Sequence, residues 1–109
     1  ILQNKKNKDF CRFYFLIKYP VPRILEKTPT FTKDLKRLSA DIQQEAWQAA
    51  CILKENIFDN RLRIRKLEGY RKLWRVVVKK DYRMIYTFDK TTVCLLRIQH
   101  RKDIYRIEI

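Results

Sequence analysis

Leu73-Trp74-Arg75-Val76-Val77-Val78-Lys79-Lys80-Asp81-Tyr82-Arg83-Met84-Ile85-Tyr86-Thr87-Phe88 is the stretch that decides the fold. Its β-branched and aromatic residues follow a period of two, broken once by a polar link, as two strands and a turn require. In the first run Trp74, Val76 and Val78 oppose Leu73, Arg75 and Val77. In the second, Tyr82, Met84, Tyr86 and Phe88 lie on one side and Arg83, Ile85 and Thr87 on the other. A three-residue loop, Lys79-Lys80-Asp81, pairs Val77 with Arg83 and brings the two fully apolar faces together. A two-residue loop would set Arg83 beside Trp74 and Val76 in the core, where an unpaired charge is costly. The three-residue loop is therefore expected, with Arg75 and Arg83 sharing the opposite face.

Working outward, Leu62 to Leu67, Leu73 to Lys79, Tyr82 to Asp89 and Thr92 to Gln99 read as strands joined by short polar links, which makes them a run of antiparallel hairpins. Before Asn60 the period is 3.6. Arg23 to Lys27 is a short strand ending at Thr28-Pro29. Thr30 is the expected cap of a helix carrying Phe31, Leu35 and Leu38. A second helix is expected from Ser39 or Asp41 to about Asn56, with the stripe Ile42, Ala46, Ala49, Leu53 and Ile57. The expected class is α+β: a short N-terminal strand and a helical hairpin packed on an antiparallel four-stranded meander sheet.

The 109 residues are one domain's worth. Residues 1–22 read as an N-terminal extension and residues 23–109 as the functional domain. The apolar run Phe13 to Ile17 is too short for a signal peptide and has no small-residue cleavage site after it. No stretch approaches the length of a membrane span, so a soluble, cytoplasmic protein is expected. Cys11, Cys51 and Cys94 have no paired spacing, which argues against a disulfide framework or a zinc site; each reads as a buried small apolar residue. His100 is the single histidine.

Charge is the outlying property: 26 Lys and Arg against 12 Asp and Glu, a formal net charge of +14. A polyanion is the first partner to consider and an acidic protein the second. Ten basic residues and only Glu68 and Asp81 fall between Arg61 and Arg83. Because they alternate with apolar residues on strands, they concentrate on one surface. That surface is either a solvated face or a phosphate-binding one, where arginine supplies planar bidentate contacts. Arg63, Arg65, Lys66, Arg71, Lys72, Lys79, Lys80 and Lys102 are the candidate RNA-binding residues. Trp74, Tyr82 and Tyr86 are base-stacking groups on one reading and core on the other; their strand spacing favours core.

The run Gln99-His100-Arg101-Lys102-Asp103-Ile104-Tyr105-Arg106 closes the last strand. It gathers a titratable imidazole, several cations and a phenol, the groups that phosphodiester chemistry needs.

The order of elements, with Lys66-Leu67-Glu68-Gly69, Leu73-Trp74-Arg75-Val76, Asp81-Tyr82-Arg83-Met84-Ile85-Tyr86 and His100-Arg101-Lys102-Asp103-Ile104-Tyr105, resembles the RelE/ParE superfamily of toxins from bacterial and archaeal toxin-antitoxin systems over about Arg23 to Arg106. The RelE branch of that resemblance implies a translation-inhibiting endoribonuclease that cuts messenger RNA in the ribosomal A site without metal or cofactor. In that chemistry the ribose 2′-hydroxyl attacks the adjacent phosphate. Carried over, Arg75 and Arg83 match basic positions on the meander strands and Tyr105 the C-terminal tyrosine. His100 or Arg101 matches the intervening basic residue. On that reading Arg83 is the expected main phosphate clamp, Arg75 a second clamp, Arg101 an alternative one, and His100 or Tyr105 the expected proton donor to the leaving 5′-oxygen. Val77 departs from the pattern, standing where well-studied RelE toxins carry a second lysine, which leaves the general base unassigned. The alternatives are a ParE-like DNA gyrase inhibitor and a non-catalytic RNA- or ribosome-binding module. The resemblance also implies a cognate antitoxin laying an amphipathic helix or strand over the toxin. The net charge predicts acidic residues in that segment.

Overall fold

The computed structural model describes residues 23–69 and 72–105. The expectations made for residues 1–22, Cys11 and Arg71 lie outside them.

Two helices follow the first strand because each is capped at a residue the chain supplies. Strand β1 (Ile24–Lys27) leads into α1 (Pro29–Lys36). Thr28, and not Thr30, is the N-cap: its hydroxyl accepts from the Phe31 amide at 3.0 Å and donates to the Leu96 carbonyl at 2.9 Å. Pro29 decides this, since a fixed φ and a missing N–H suit the first helical position and move the cap one residue upstream of it. Helix α2 (Ala40–Glu55) starts at its cap Ser39, whose side chain accepts from Ile42. It buries the stripe Ile42, Ala46, Ala49 and Leu53, which Ile57 continues beyond its end.

The segment expected to be a strand from Leu62 to Leu67 differs. Asn60–Leu62 forms one turn of 3-10 helix, capped by the Asp59 carboxylate, which accepts from the Arg61 amide at 2.9 Å. Arg63 then reverses the chain in the left-handed region at φ 52°. Only β2 (Arg65–Lys66) remains extended. The alternating Leu62 and Ile64 mimicked a strand, while the Asp59 cap and the turn absorbed the residues before Arg65.

Strands β3 (Trp74–Val78), β4 (Tyr82–Phe88) and β5 (Thr92–His100) complete a five-stranded sheet in the order β1-β5-β4-β3-β2. Strands β2 to β5 are the antiparallel meander, and β1 runs parallel to β5 on its free side. Val77 pairs with Arg83 across the Lys79-Lys80-Asp81 loop, as the apolar faces require. The main core lies between this sheet and the helices, with Val76, Val78, Met84, Tyr86, Val93, Leu95 and Ile98 from the strands. Tyr86 is fully buried and donates its hydroxyl to the Ile57 carbonyl at 2.7 Å, and burial pushes its phenol up. Trp74 and Tyr82 pack against the same core. The base-stacking reading of these three rings gives way to the core one.

One irregularity repositions the end of the sheet. Ile85 pairs with Arg97 but Tyr86 pairs with Leu95, so Leu96 is an extra residue on β5. This bulge lets Leu95 and Ile98 both face the core, which strict alternation forbids. The last strand ends at His100, one residue beyond the expected Gln99, and Arg101–Ile104 form a short helix, α3. Where α1 lies beside β5 beyond the end of β1, Asp34 takes the edge amide of Ile98 at 3.2 Å, Arg97 Nε at 2.8 Å and Gln99 Nε2 at 3.3 Å. Cys51 is exposed on α2 and Cys94 half-buried, against the expectation of buried thiols; the α2 stripe leaves position 51 on its outer face. Among the described residues no helix is long and apolar enough to cross a membrane.

Candidate nucleic-acid interface

The sheet has a helix-covered face and an arginine face, and strand register decides which cations lie on the second. Arg65 stands directly opposite Arg75, Arg75 opposite Ile85, and Val77 opposite Arg83. Directly opposed residues of antiparallel strands share a face, so Arg65, Arg75 and Arg83 project from the same side. Like charges so placed repel, and nothing in the hydrophobic pattern demands them. Burial holds the Arg75 guanidinium below its ordinary value; the Tyr105 phenol opposes that effect, and Arg83 and Arg65 add repulsion. Arg65, Arg75, Arg83 and Tyr105 therefore form one electrostatic cluster.

Tyr105 reaches this cluster through α3. Ile104 is fully buried while the next residue, Tyr105, is 55% exposed. Helix α3 packs against β4 and β5, and Ile85, on the arginine face of β4, is also fully buried. The phenol is thus presented at the rim of the arginine face, with an apolar anchor immediately before it in the chain.

Arg83 is aimed by the turn that precedes it. Its Nη1 donates to the carbonyls of Lys80 at 2.8 Å and Tyr82 at 3.0 Å. Beside it, Arg61, Arg63, Val77 and Lys80 line a groove of about 420 Å³. Arg61 sits fork to fork on Asp59, at 2.9 Å from Nε and 2.8 Å from Nη2, and Arg61 holds the Asp59 carboxyl down at about 2. The ion pairs among the described residues are Arg61 with Asp59, Arg97 with Asp34 and Arg101 with Asp81. None of them neutralises Arg63, Arg65, Arg75, Lys79, Lys80 or Arg83.

The other sequence candidates lie elsewhere. Lys66 pairs with Trp74 and places its ammonium 5.8 Å from the centre of that ring, on the core side of the sheet edge. Lys72 is exposed ahead of β3, and Lys102 is exposed on α3. Arg101 is exposed, with Nε 3.8 Å from Asp81. His100 is carried to the helix side by the bulge: it pairs with Tyr82, and the two rings meet edge to face at 5.2 Å. Its Nδ1 accepts from the Lys102 amide at 3.1 Å and so caps α3. It borders a separate groove of about 370 Å³ with Asp34, Arg37, Leu38 and Asp103. Arg61 is the groove residue missing from the sequence candidates; the Asp59-Asn60-Arg61 spacing of a capped turn was the available signal.

Among the described residues, the arginine face thus carries Arg63, Arg65, Arg75 and Arg83 without a carboxylate ion-pair partner. A family model described as the ParE toxin of type II toxin-antitoxin systems matches residues 25–105, and the chain belongs to that family of toxins, within the RelE/ParE superfamily. It is similar to toxin RelE3 of Methanocaldococcus jannaschii, 32% identical over 78 residues that cover 70% of this chain and 88% of the relative. The RelB-RelE antitoxin-toxin complex from Methanococcus jannaschii is 27% identical with a TM-score of 0.64, covering 77% of this chain and 99% of that one. The toxin-antitoxin complex RelBE2 from Mycobacterium tuberculosis is 27% identical with a TM-score of 0.63, covering 74% and 100%.

Proposed function

We propose that this toxin is a ribosome-dependent endoribonuclease that inhibits translation by cutting messenger RNA on the arginine face of its sheet. The observation that carries the reading is the convergence of Arg65, Arg75, Arg83 and Tyr105, with no carboxylate to neutralise them among the described residues. The ribose 2′-hydroxyl gives up its proton to solvent water as its oxygen attacks the adjacent phosphorus, the bond to the 5′-oxygen breaks, and that oxygen takes up a proton from the protein, which water then restores. Charge grows on the phosphoryl oxygens along the way, so cations fixed there in advance bind the transition state more tightly than the ground state. Arg83, held by the Lys80 carbonyl, and Arg75, already partly desolvated, are the two clamps. Tyr105 is the proton donor to the leaving oxygen, since it, and not His100, stands with the arginines. Arg63, Arg65, Lys79 and Lys80 guide the strand, while Lys72 and Lys102 extend the basic surface on either side.

His100 is a positioning residue: its Nδ1 caps α3, and α3 presents Tyr105. His100→Leu removes a cap of about 1 kcal/mol and is expected to slow cleavage several-fold. His100→Asn restores the cap and most of the rate. An asparagine variant as impaired as the leucine one would instead make the imidazole the proton donor.

The relatives solved as complexes with antitoxins support a cognate antitoxin here too. An acidic, amphipathic segment laid over the arginine face would neutralise it and cover Tyr105.

The reading is tested by primer-extension mapping of messenger RNA after brief induction of the toxin, beside Arg83→Ala. Cuts confined to translated regions and lost in the variant are expected. Growth arrest with intact messenger RNA and blocked supercoiling would replace this reading with gyrase inhibition. Salt-sensitive RNA binding with neither effect would leave a binding module.

A further inference from the structure

We propose that the groove between the 3-10 turn and the β3–β4 loop is a second phosphate site, holding the backbone phosphate next to the one clamped by Arg75 and Arg83. This rests on the nuclease reading and gives that site a second contact on the same RNA strand.

Backbone strain locates the groove. Arg63, Lys79 and Lys80 have φ of 52°, 49° and 69°, a region that residues with a Cβ avoid and glycine enters freely. The one glycine of the chain, Gly69, has φ 82°. Every other left-handed residue described is basic, and two of the three, Arg63 and Lys80, line the groove. Glycine or asparagine at these positions would relieve the turns. The cationic side chains occupy them instead, and strain kept at a cost marks a position where the side chain serves something besides folding.

The groove is built into the arginine face. Its floor is Val77, paired with Arg83 and two residues from Arg75 on the same strand. Two residues of strand advance about 7 Å, which is of the order of the step between neighbouring phosphates in an extended single strand. The same Lys80 that lines the groove holds Arg83 through its carbonyl at 2.8 Å. Arg61 is fixed in plane by Asp59, so that pair is neutral and the net charge of the groove comes from Arg63 and Lys80.

The lining also chooses between an RNA and an acidic protein. Val77 is its single apolar residue. A protein partner anchors through buried aromatic and aliphatic groups, which this groove does not accommodate. Guanidinium and ammonium groups around a small floor fit phosphate oxygens.

The test uses a single-stranded RNA oligonucleotide carrying 2′-O-methyl groups throughout, so that its 2′-oxygens cannot attack. Affinity is measured against KCl concentration for the parent, for the double variant Arg63→Gly/Lys80→Gly, and for Lys33→Gln/Lys36→Gln, which removes two exposed charges from α1. The glycine variant removes the charges and relieves the backbone, so its melting temperature holds or rises. Its affinity is expected to fall about tenfold, and the slope of log K against log salt to shrink by about 0.7, the contribution of one single-strand phosphate. The α1 variant keeps the parent slope. A glycine variant with the parent's slope, or an α1 variant with an equal loss, overturns the second site. So does a glycine variant that loses polyglutamate binding while keeping RNA binding. A parent that binds the oligonucleotide steeply but cuts no messenger RNA removes the nuclease reading and leaves the groove standing.

Discussion

Arg75→Gln is expected to lower the rate of RNA cleavage about 100-fold or more while the melting temperature holds or rises. The two halves of this result have one cause. Arg75 faces Arg65 directly across the β2–β3 pair, lies near Arg83, and is partly desolvated, so in the free toxin it sits in an unfavourable field. Removing its charge relieves that field. A donor aimed at developing phosphoryl charge is worth about two to three orders of magnitude in kcat, so the same change removes catalysis. Glutamine keeps most of the side-chain stem, which separates charge from packing. Cleavage rates and thermal melts on one preparation measure both. A variant that loses stability in step with activity would make Arg75 a structural residue.

Asp34→Ala is expected to destabilise the fold by about 3 to 5 kcal/mol, the range for removing one partner of a buried ion pair. Asp34 is 6% exposed and is the meeting point of Arg97, the Ile98 amide and Gln99. Its loss leaves a half-buried guanidinium and an edge amide unpaired where β5 runs beyond β1. Burial pushes the Asp34 carboxyl up, but the hydrogen bonds from Arg97, Ile98 and Gln99, with the charge of Arg97, outweigh it and hold the carboxyl below its ordinary value. A folded-state pKa below the unfolded one gives stability that is present above about pH 3.9. That stability is lost as the pH falls through the lowered folded value. Denaturant titrations at pH 7 and in the acid range should show the variant's deficit shrinking toward low pH. A deficit that is constant with pH would locate the loss in packing.

The meander, its three-residue turn and the α2 stripe were legible because each is a local periodicity. Val77 and Arg83 were paired on the cost of burying one arginine, a strong enough penalty to select a register. Three features were not legible. The bulge at Leu96 adds one residue to a regular apolar alternation, and that residue moves His100 from the arginine face to the helix face. The turn at Asn60–Leu62 imitates a strand through Leu62 and Ile64. The Asp34 network joins residues 63 to 65 positions apart, and nothing near Asp34 in the chain announces its partners. Of the candidate site, Arg75, Arg83 and Tyr105 were found from their sequence words and the electrostatic cluster gathers them. Arg65 emerged as their neighbour from register alone, and Arg61 from a cap.

The chemical identity of the cut ends tests the central claim most directly. Messenger RNA cleaved on ribosomes by the purified toxin should carry a 5′-hydroxyl on the downstream fragment and a 2′,3′-cyclic phosphate on the upstream one, because the 2′-oxygen displaces the 5′-oxygen. A single 2′-deoxy nucleotide at the cut should abolish that cleavage. Fragments ending in 5′-phosphate and 3′-hydroxyl, or a cut that persists through the 2′-deoxy position, would contradict the account.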